Sequence, residues 1–285
     1  MYLGRFHRAP LVIDGGASRA RWIPSSHNIP GFTAGVSGTE LLSDLRRQAA
    51  RYGAEFLAAT VSAMSWQKKA FTLSFGRQLH TARFVLLATG VKDTFPAIPG
   101  VEEAVLRSVM RFCPICDGFE ASGKRIAVIG NGERGRQEAQ FMFQTYSKHV
   151  SYLNLGKRDR KRRAALERLG LSVREIRLDE LRIERDALSL NPRRGSRQKY
   201  DVSYSALGCE PQHQLAENVG AARDAKGMLI VNAHQQTTVD RLYAAGDIVR
   251  GLNQVVVGAA EAAIAATDIH NRLRAQGNRQ ARRKN

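Results

Sequence analysis

The stretch IAVIGNGERGRQEA at 126–139 constrains this chain more than any other. Ile126 to Ile129 read as a buried strand, a glycine turn follows, and a helix opens at once. The glycines fall as Gly130-x-Gly132-x-x-Gly135. In that context each has a job: Gly130 for a tight turn, Gly132 for close approach of backbone to a pyrophosphate, Gly135 for close packing of helix on strand. The free N–H groups of the new helix then face the phosphates. The plainer reading is a glycine turn that holds no ligand. The next strand, SYLNL, ends at Asn154, where a coenzyme with a free ribose hydroxyl would call for Asp or Glu. The basic run KRDRKRR at 157–163 follows instead. Lys157, Arg158 and Arg162 therefore point to a ribose phosphate and hence to NADP, against the alternative of a solvated loop.

Elsewhere strand-like and helix-like segments alternate. APLVIDGG (9–16), EFLAATVSAMSW, KAFTLSF, ARFVLLATG (82–90), DVSYSALG (201–208) and RLYAAGD (241–247) read as strands. TELLSDLRRQAARYG (39–53) and QVVVGAAEAAIAATDIHNRLR (254–274) read as helices, and the basic tail after them as frayed. Strands alternating with helices predict an α/β fold with parallel sheets. At 285 residues and 43% apolar content the chain can bury a substantial core. Its net charge of +18 raises nucleic acid as a partner, but no nucleic-acid motif accompanies it, so a solvated, Arg-rich surface is expected. VVVGAAEAAIAA (255–266) is broken by Glu261, so no membrane span is expected. MYLGRFHRAP lacks the pattern of a signal peptide, and three cysteines make no disulfide framework, which suits a reducing, cytoplasmic setting.

CPICDG at 113–118, then the glycine unit, then YAAGD at 243–247 occur in the order seen in the low-molecular-weight bacterial thioredoxin reductases, and the chain resembles that family from about residue 5 to 275. HNIPGF (27–32), ATG (88–90) and ALG (206–208) also stand at family positions. The resemblance implies an α/β protein of two nested Rossmann-like, three-layer nucleotide-binding domains. An FAD-binding domain would cover 1–106 and 233–285, and an NAD(P)H-binding domain carrying the cysteine pair would be inserted at 107–232. It implies that Asp14 holds the adenosine ribose of FAD and that Asn28 lies near the flavin. Thr89 and Gly90 would border the FAD phosphates or adenosine, and Asp247 the flavin side chain. Gln254 and Val255, opening the last helix, would meet the isoalloxazine ring, where a helix N-terminus favours negative charge on the reduced ring. The family's own FAD fingerprint should precede YLGRF. It is expected upstream of Met1, which leaves the first domain N-terminally truncated in this chain. The family's phosphate motif is present only loosely, as GKRDRKR (156–162), and CPICDG replaces the commoner CATCDG.

A structural zinc site needs four ligands, usually two Cys/His pairs. The third cysteine, Cys209, is read as packed and His149 and His213 stand alone, so no metal is expected and a redox pair is. C-x-x-C surroundings lower one thiol's pKa, and exchange runs through a mixed disulfide. In the family's manner Cys116 would lie against the flavin and Cys113 would attack the substrate. Asp117 is the candidate acid for the leaving thiolate, or else a turn-capping residue. Phe112 and Phe119 are expected to pack in the core, and His27 and His270 to lie at the surface or at caps. The function expected is an NADPH-dependent flavoprotein disulfide reductase, acting on a thioredoxin-like protein or a small disulfide, as a homodimer. The alternatives are an FAD-dependent dithiol oxidase using O₂, or an inactive remnant serving as a binding protein.

Overall fold

Successive residues of a strand point to opposite faces, so a strand that is apolar throughout must be covered on both sides. Ile126–Gly130 is such a strand, buried at all five positions. In the computed structural model, which describes residues 1–193, 195–249 and 252–282, Ile126 and Val128 join one core with Tyr152, Val202 and Tyr204. Ala127 and Ile129 join a second with Met110, Leu153 and Leu188. The sheet is parallel throughout, in the order Ser172–Glu175, Val150–Asn154, Ile126–Gly130, Val202–Ala206, Met110–Arg111. Counted from the glycine strand, the first four stand third, second, first, fourth, the Rossmann pattern. Helix Gly132–Thr145 links the first strand to the second, and helix Arg160–Arg168 the second to the third. A small antiparallel sheet, Leu181–Ile183, Leu188–Leu190 and Gln198–Tyr200, precedes the fourth strand.

The chain divides into two compact units. One holds Met1–Arg19, Glu40–Lys92 and Glu210–Asn285; the other holds Ala20–Thr39 and Asp93–Cys209. Two of the four joints, 92/93 and 209/210, fall within Val91–Asp93 and Cys209–Pro211, two short strands that pair with each other. Motif order had placed the joints at 106/107 and 232/233. Core membership explains the different division: Ile98, Ala104 and Val105 pack in the second unit's core, whereas Ala216, Ala221 and Leu229 pack in the first unit's. The segment 20–39 is held in the second unit partly by Trp22, whose ring meets Phe95 edge-on at 5.3 Å.

In the first unit Leu11–Asp14 pairs in parallel with Glu55–Ala58, and Val85–Leu87 with Leu242–Ala244. An antiparallel meander, Ala63–Gln67, Ala70–Phe75 and Gln78–Ala82, lies between them in sequence. The last helix runs Val255–Arg282, so the tail expected to fray is helical as far as residue 282, and the rest of it lies outside the described residues. Among the described residues no helix is long and apolar enough to cross a membrane.

A buried polar contact fixes that helix to its strand. Tyr243 is fully buried. Its hydroxyl donates to Asp268 Oδ2 and accepts from Arg272 Nη1 at 3.2 Å, while Arg272 also donates to Asp240. Burial, and then the hydrogen bond to Asp268, push the Tyr243 pKa up to about 12. A hydrogen bond to a charged partner contributes about 1.5–3 kcal/mol. Tyr243→Phe is therefore expected to lower stability by about 1–2 kcal/mol, read as a lower urea midpoint; an unchanged midpoint would contradict the role given to this contact.

Candidate active site

At the glycine turn, Gly132 has φ +60° and opens the helix. A Cβ on Gly130 would stand 2.9 Å from the Gly135 Cα, and one on Gly135 would stand 2.9 Å from the Tyr152 ring. Helix and strand thus touch where Gly130 and Gly135 allow it. Asn154 closes the neighbouring strand: its Oδ1 accepts from Gly156 N at 3.0 Å and from Tyr152 Oη at 3.2 Å. Beyond it lies a narrow crevice of about 20 Å³, with Arg136, Asn154, Lys157 and Arg162 in its lining. Arg158, expected beside them, pairs at 3.2 Å with Glu175 of the crevice wall. A glycine cradle that a single Cβ would fill, a helix N-terminus and a cationic crevice fit a phosphorylated dinucleotide. Gly135→Ala, whose backbone is otherwise permissive, is expected to wedge helix from strand. The expected result is a loss of about 1–3 kcal/mol of stability, the usual scale of overpacking, with weaker NADP⁺ binding by titration. Unchanged binding would show that the close approach is not needed.

The residues expected to hold FAD are distributed between the units. Asp14, at the end of its strand, is exposed, and its Oδ1 accepts from Gly16 N at 2.8 Å, closing the turn after the strand. Thr89 Oγ1 donates to the Gln212 carbonyl at 2.6 Å, and Gly90 accepts from Gln212 N at 3.0 Å. Gly90 and Asp247 lie side by side: a Cβ on Gly90 would be 4.0 Å from that of Asp247. Gly246 donates its N–H to Glu261 Oε2 at 2.7 Å, and a Cβ on Gly258 would come within 3.3 Å of the Gly246 Cα. The AAGD turn therefore passes over the first turns of the helix that Gln254 precedes and Val255 begins. That helix start leaves N–H donors without intrahelical acceptors. The small residues and donors suit a flavin nucleotide here. Arg19, which the sequence reading did not single out, donates to Asp247 Oδ2 at 2.9 Å.

Asn28 belongs to the second unit, and there the structure brings it to the cysteine pair. Cys113 and Cys116 form a disulfide. Cys113 precedes a single helical turn, Pro114–Asp117, with proline at its first position, where no N–H is needed. Cys116, His27, Asn28, Glu120 and Tyr146 line a cleft of about 350 Å³. His27 is exposed and hydrogen-bonded to Ser25 at 3.1 Å. Phe112 packs on Phe95 at 4.7 Å as expected, but Phe119 does not enter the core. It is 79% exposed and also lines the cleft, because the chain leaves the Pro114–Asp117 turn through a 3₁₀ turn that points it outward. Cys209 sits half-buried on the linking strand Cys209–Pro211.

Asp117 has side-chain partners from outside its turn. Tyr204, from the fourth strand of the sheet, donates to its Oδ1 at 2.9 Å, and Arg111 Nη1 lies 3.8 Å from the same oxygen. Arg111 also donates to the Asp117 carbonyl at 2.6 Å. Burial pushes the Asp117 carboxyl up to about 6, against the pull of Arg111 and Tyr204 and with a further push from Glu120. Burial, then the adjoining carboxylate, raise Tyr204 well above the usual tyrosine range. A carboxyl that exchanges its proton near pH 6, on the residue after Cys116, has the acidity to protonate a departing thiolate. Tyr204 escaped sequence reading because strand pairing brings it here from a distant part of the chain, and Arg111 because nothing in the sequence shows that its side chain turns back on Asp117.

A disulfide with Cys116 on a cleft, a titratable carboxyl on the next residue and a dinucleotide turn in the same unit are the parts of a nucleotide-dependent dithiol–disulfide oxidoreductase. The family model described as pyridine nucleotide-disulphide oxidoreductase matches residues 17–263, and the chain belongs to that family. It is 28% identical to a thioredoxin reductase of Mycolicibacterium smegmatis, over 94% of this chain and 89% of that one. It is 30% identical to the bifunctional thioredoxin reductase/thioredoxin of Mycobacterium leprae, over 94% of this chain and 61% of that one. The solved structure of HlmI superposes with a TM-score of 0.87 at 25% identity, covering 99% of this chain and 90% of that one. The chain is accordingly an oxidoreductase of the thioredoxin-reductase type, a flavoprotein using FAD and NADPH.

Proposed function

We propose that Cys113 and Cys116 are the working dithiol of this reductase and that a thioredoxin-like protein disulfide is its substrate. The observation that carries the reading is the Cys113–Cys116 disulfide, with Cys116 on the cleft beside Asn28 and Asp117 next in sequence. The substrate class is supported by the relatives' names, one of which joins thioredoxin reductase and thioredoxin in a single protein.

Bound FAD supplies two-electron carriage between NADPH and the disulfide. The chain's own residues do the rest. Gly130, Gly132 and Gly135 admit the coenzyme's pyrophosphate, and Lys157, Arg158 and Arg162 offer charge to its ribose phosphate. Asp14, Thr89, Gly90, Asp247, Gln254 and Val255 would hold the flavin nucleotide. Two electrons and two protons open the Cys113–Cys116 bond, leaving Cys113 as the thiolate, one proton on Asp117 and the other on Cys116, from which it passes to the second departing thiolate. The Cys113 thiolate then attacks a substrate disulfide, forming a mixed disulfide and expelling one substrate thiolate, which takes the Asp117 proton. Cys116 attacks the Cys113 sulfur, releases the second thiolate and re-forms the pair. A homodimer in a reducing, cytoplasmic compartment accompanies this reading.

The test is anaerobic stopped-flow mixing of the purified protein with NADPH. The flavin absorbance is expected to bleach and then to return when an oxidised thioredoxin is added. Bleaching that only O₂ reverses would overturn the substrate assignment, and absence of bleaching would overturn the reductase reading.

A further inference from the structure

The first turn of the coenzyme helix carries an acidic side chain where a phosphate has to arrive. Glu133 directly follows Gly132. A carboxylate there gains from the helix dipole, yet it takes up the positive end that a phosphate would use. Its partners show what it does. Oε2 of Glu133 accepts from Arg136 Nη2, one turn further along the helix, and from Arg162 Nη1 at 3.2 Å, on helix Arg160–Arg168. Two guanidinium groups from separate elements converge on one oxygen atom.

The three side chains differ in freedom. Arg136 keeps 13% of its surface exposed, against 59% for Glu133 and 57% for Arg162. Arg136 is held against the crevice that Tyr152, Asn154 and Lys157 also line. Arg162 has a second carboxylate, Asp159 Oδ2, at 3.3 Å, to fix its direction. Glu133 can swing into solvent, whereas Arg136 is walled in. A point where two guanidinium groups meet beside such a crevice suits a phosphomonoester, which offers more charge and more acceptor oxygens than a carboxylate.

We propose that Arg136 is a specificity-determining residue for the ribose phosphate of NADPH, that it forms a two-guanidinium clamp with Arg162, and that Glu133 fills the clamp until the phosphate displaces it. The proposal deepens the coenzyme assignment made above and rests on it. A neutral ribose hydroxyl does not restore what the two arginines lose when Glu133 leaves, so the stand-in also works against NADH.

The test is direct binding of NADP⁺ and NAD⁺ to the full chain by calorimetry, with no turnover. Arg136→Gln is expected to weaken NADP⁺ about ten- to hundredfold, the scale of a charged hydrogen bond lost, while NAD⁺ changes less than about threefold. Arg136→Lys is expected to fall between, since a point charge replaces the fork. Glu133→Gln, at an exposed position, is expected to tighten NADP⁺ roughly three- to tenfold by removing the competing charge. Equal weakening of both nucleotides by Arg136→Gln, or of neither, would overturn the clamp while leaving the wild-type preference intact. A wild-type protein that binds NAD⁺ as tightly as NADP⁺ would overturn the coenzyme assignment itself.

Discussion

Replacing Cys116 with serine is expected to cut the turnover of a disulfide substrate by at least about a thousandfold, the scale on which catalysis falls when a member of a nucleophilic unit is lost. The reason is stoichiometric. Cys113 alone still attacks a disulfide, but the mixed disulfide then has no internal thiol to resolve it. Cys116→Ser protein should therefore accumulate a covalent adduct through Cys113, visible by mass spectrometry and cleared by added dithiol. Cys113→Ser should be equally inactive and trap far less, because Cys116 faces the cleft it shares with Asn28. Equal trapping by the two variants would contradict the division of labour between the sulfurs. Trapping only by Cys113→Ser would reverse it.

Asp117→Asn is expected to slow substrate reduction by about a hundred- to ten-thousandfold, the usual contribution of a positioned acid, and to do so with a changed pH profile. In the wild type the acid form is present below about pH 6 and is lost as pH rises through that value. The protonation step should therefore slow above pH 6, and the asparagine variant should lack that limb. Stability falls with rising pH as well. The folded carboxyl holds its proton up to about 6, whereas the unfolded one releases it near the ordinary 3.8. Between those values the native state binds more protons, so raising the pH through this window destabilises it. With 31% of the side chain exposed, solvent screening limits the effect to about 1–2 kcal/mol. Asp117→Asn keeps an acceptor for Tyr204, and Arg111 keeps the backbone carbonyl. The variant should thus be as stable as wild type at pH 4 and more stable at pH 8, by urea denaturation. A variant that is slower at every pH by the same factor would show a structural role only.

The parts of this site that are local in the chain were legible in the sequence. Gly130, Gly132 and Gly135 sit within one strand–turn–helix unit; Gly130 and Gly135 make the close approach, and Gly132 supplies the positive φ. Cys113 and Cys116 are three residues apart, and the disulfide joins them. What was not legible depends on pairing across the chain. Tyr204 reaches Asp117 only because its strand lies beside Met110–Arg111 in the sheet. Arg136 looks like any exposed helix residue until the crevice beside it is formed. Gln78–Ala82 is exposed at four of its five positions, so no apolar alternation marked it as a strand. Leu188–Leu190, the middle strand of the small sheet, is buried, but the charged turn at Glu184–Asp186 hid its hairpin. Phe119 was misjudged because hydrophobicity alone does not report the direction of a 3₁₀ turn.

The central claim is that electrons from NADPH open the Cys113–Cys116 bond. Counting thiols tests it most directly: the protein, denatured after anaerobic NADPH treatment, is titrated with a thiol reagent against an untreated sample. The account predicts two additional thiols per chain in the wild type and none in Cys113→Ser. NADPH oxidised to completion with no new thiols would contradict it.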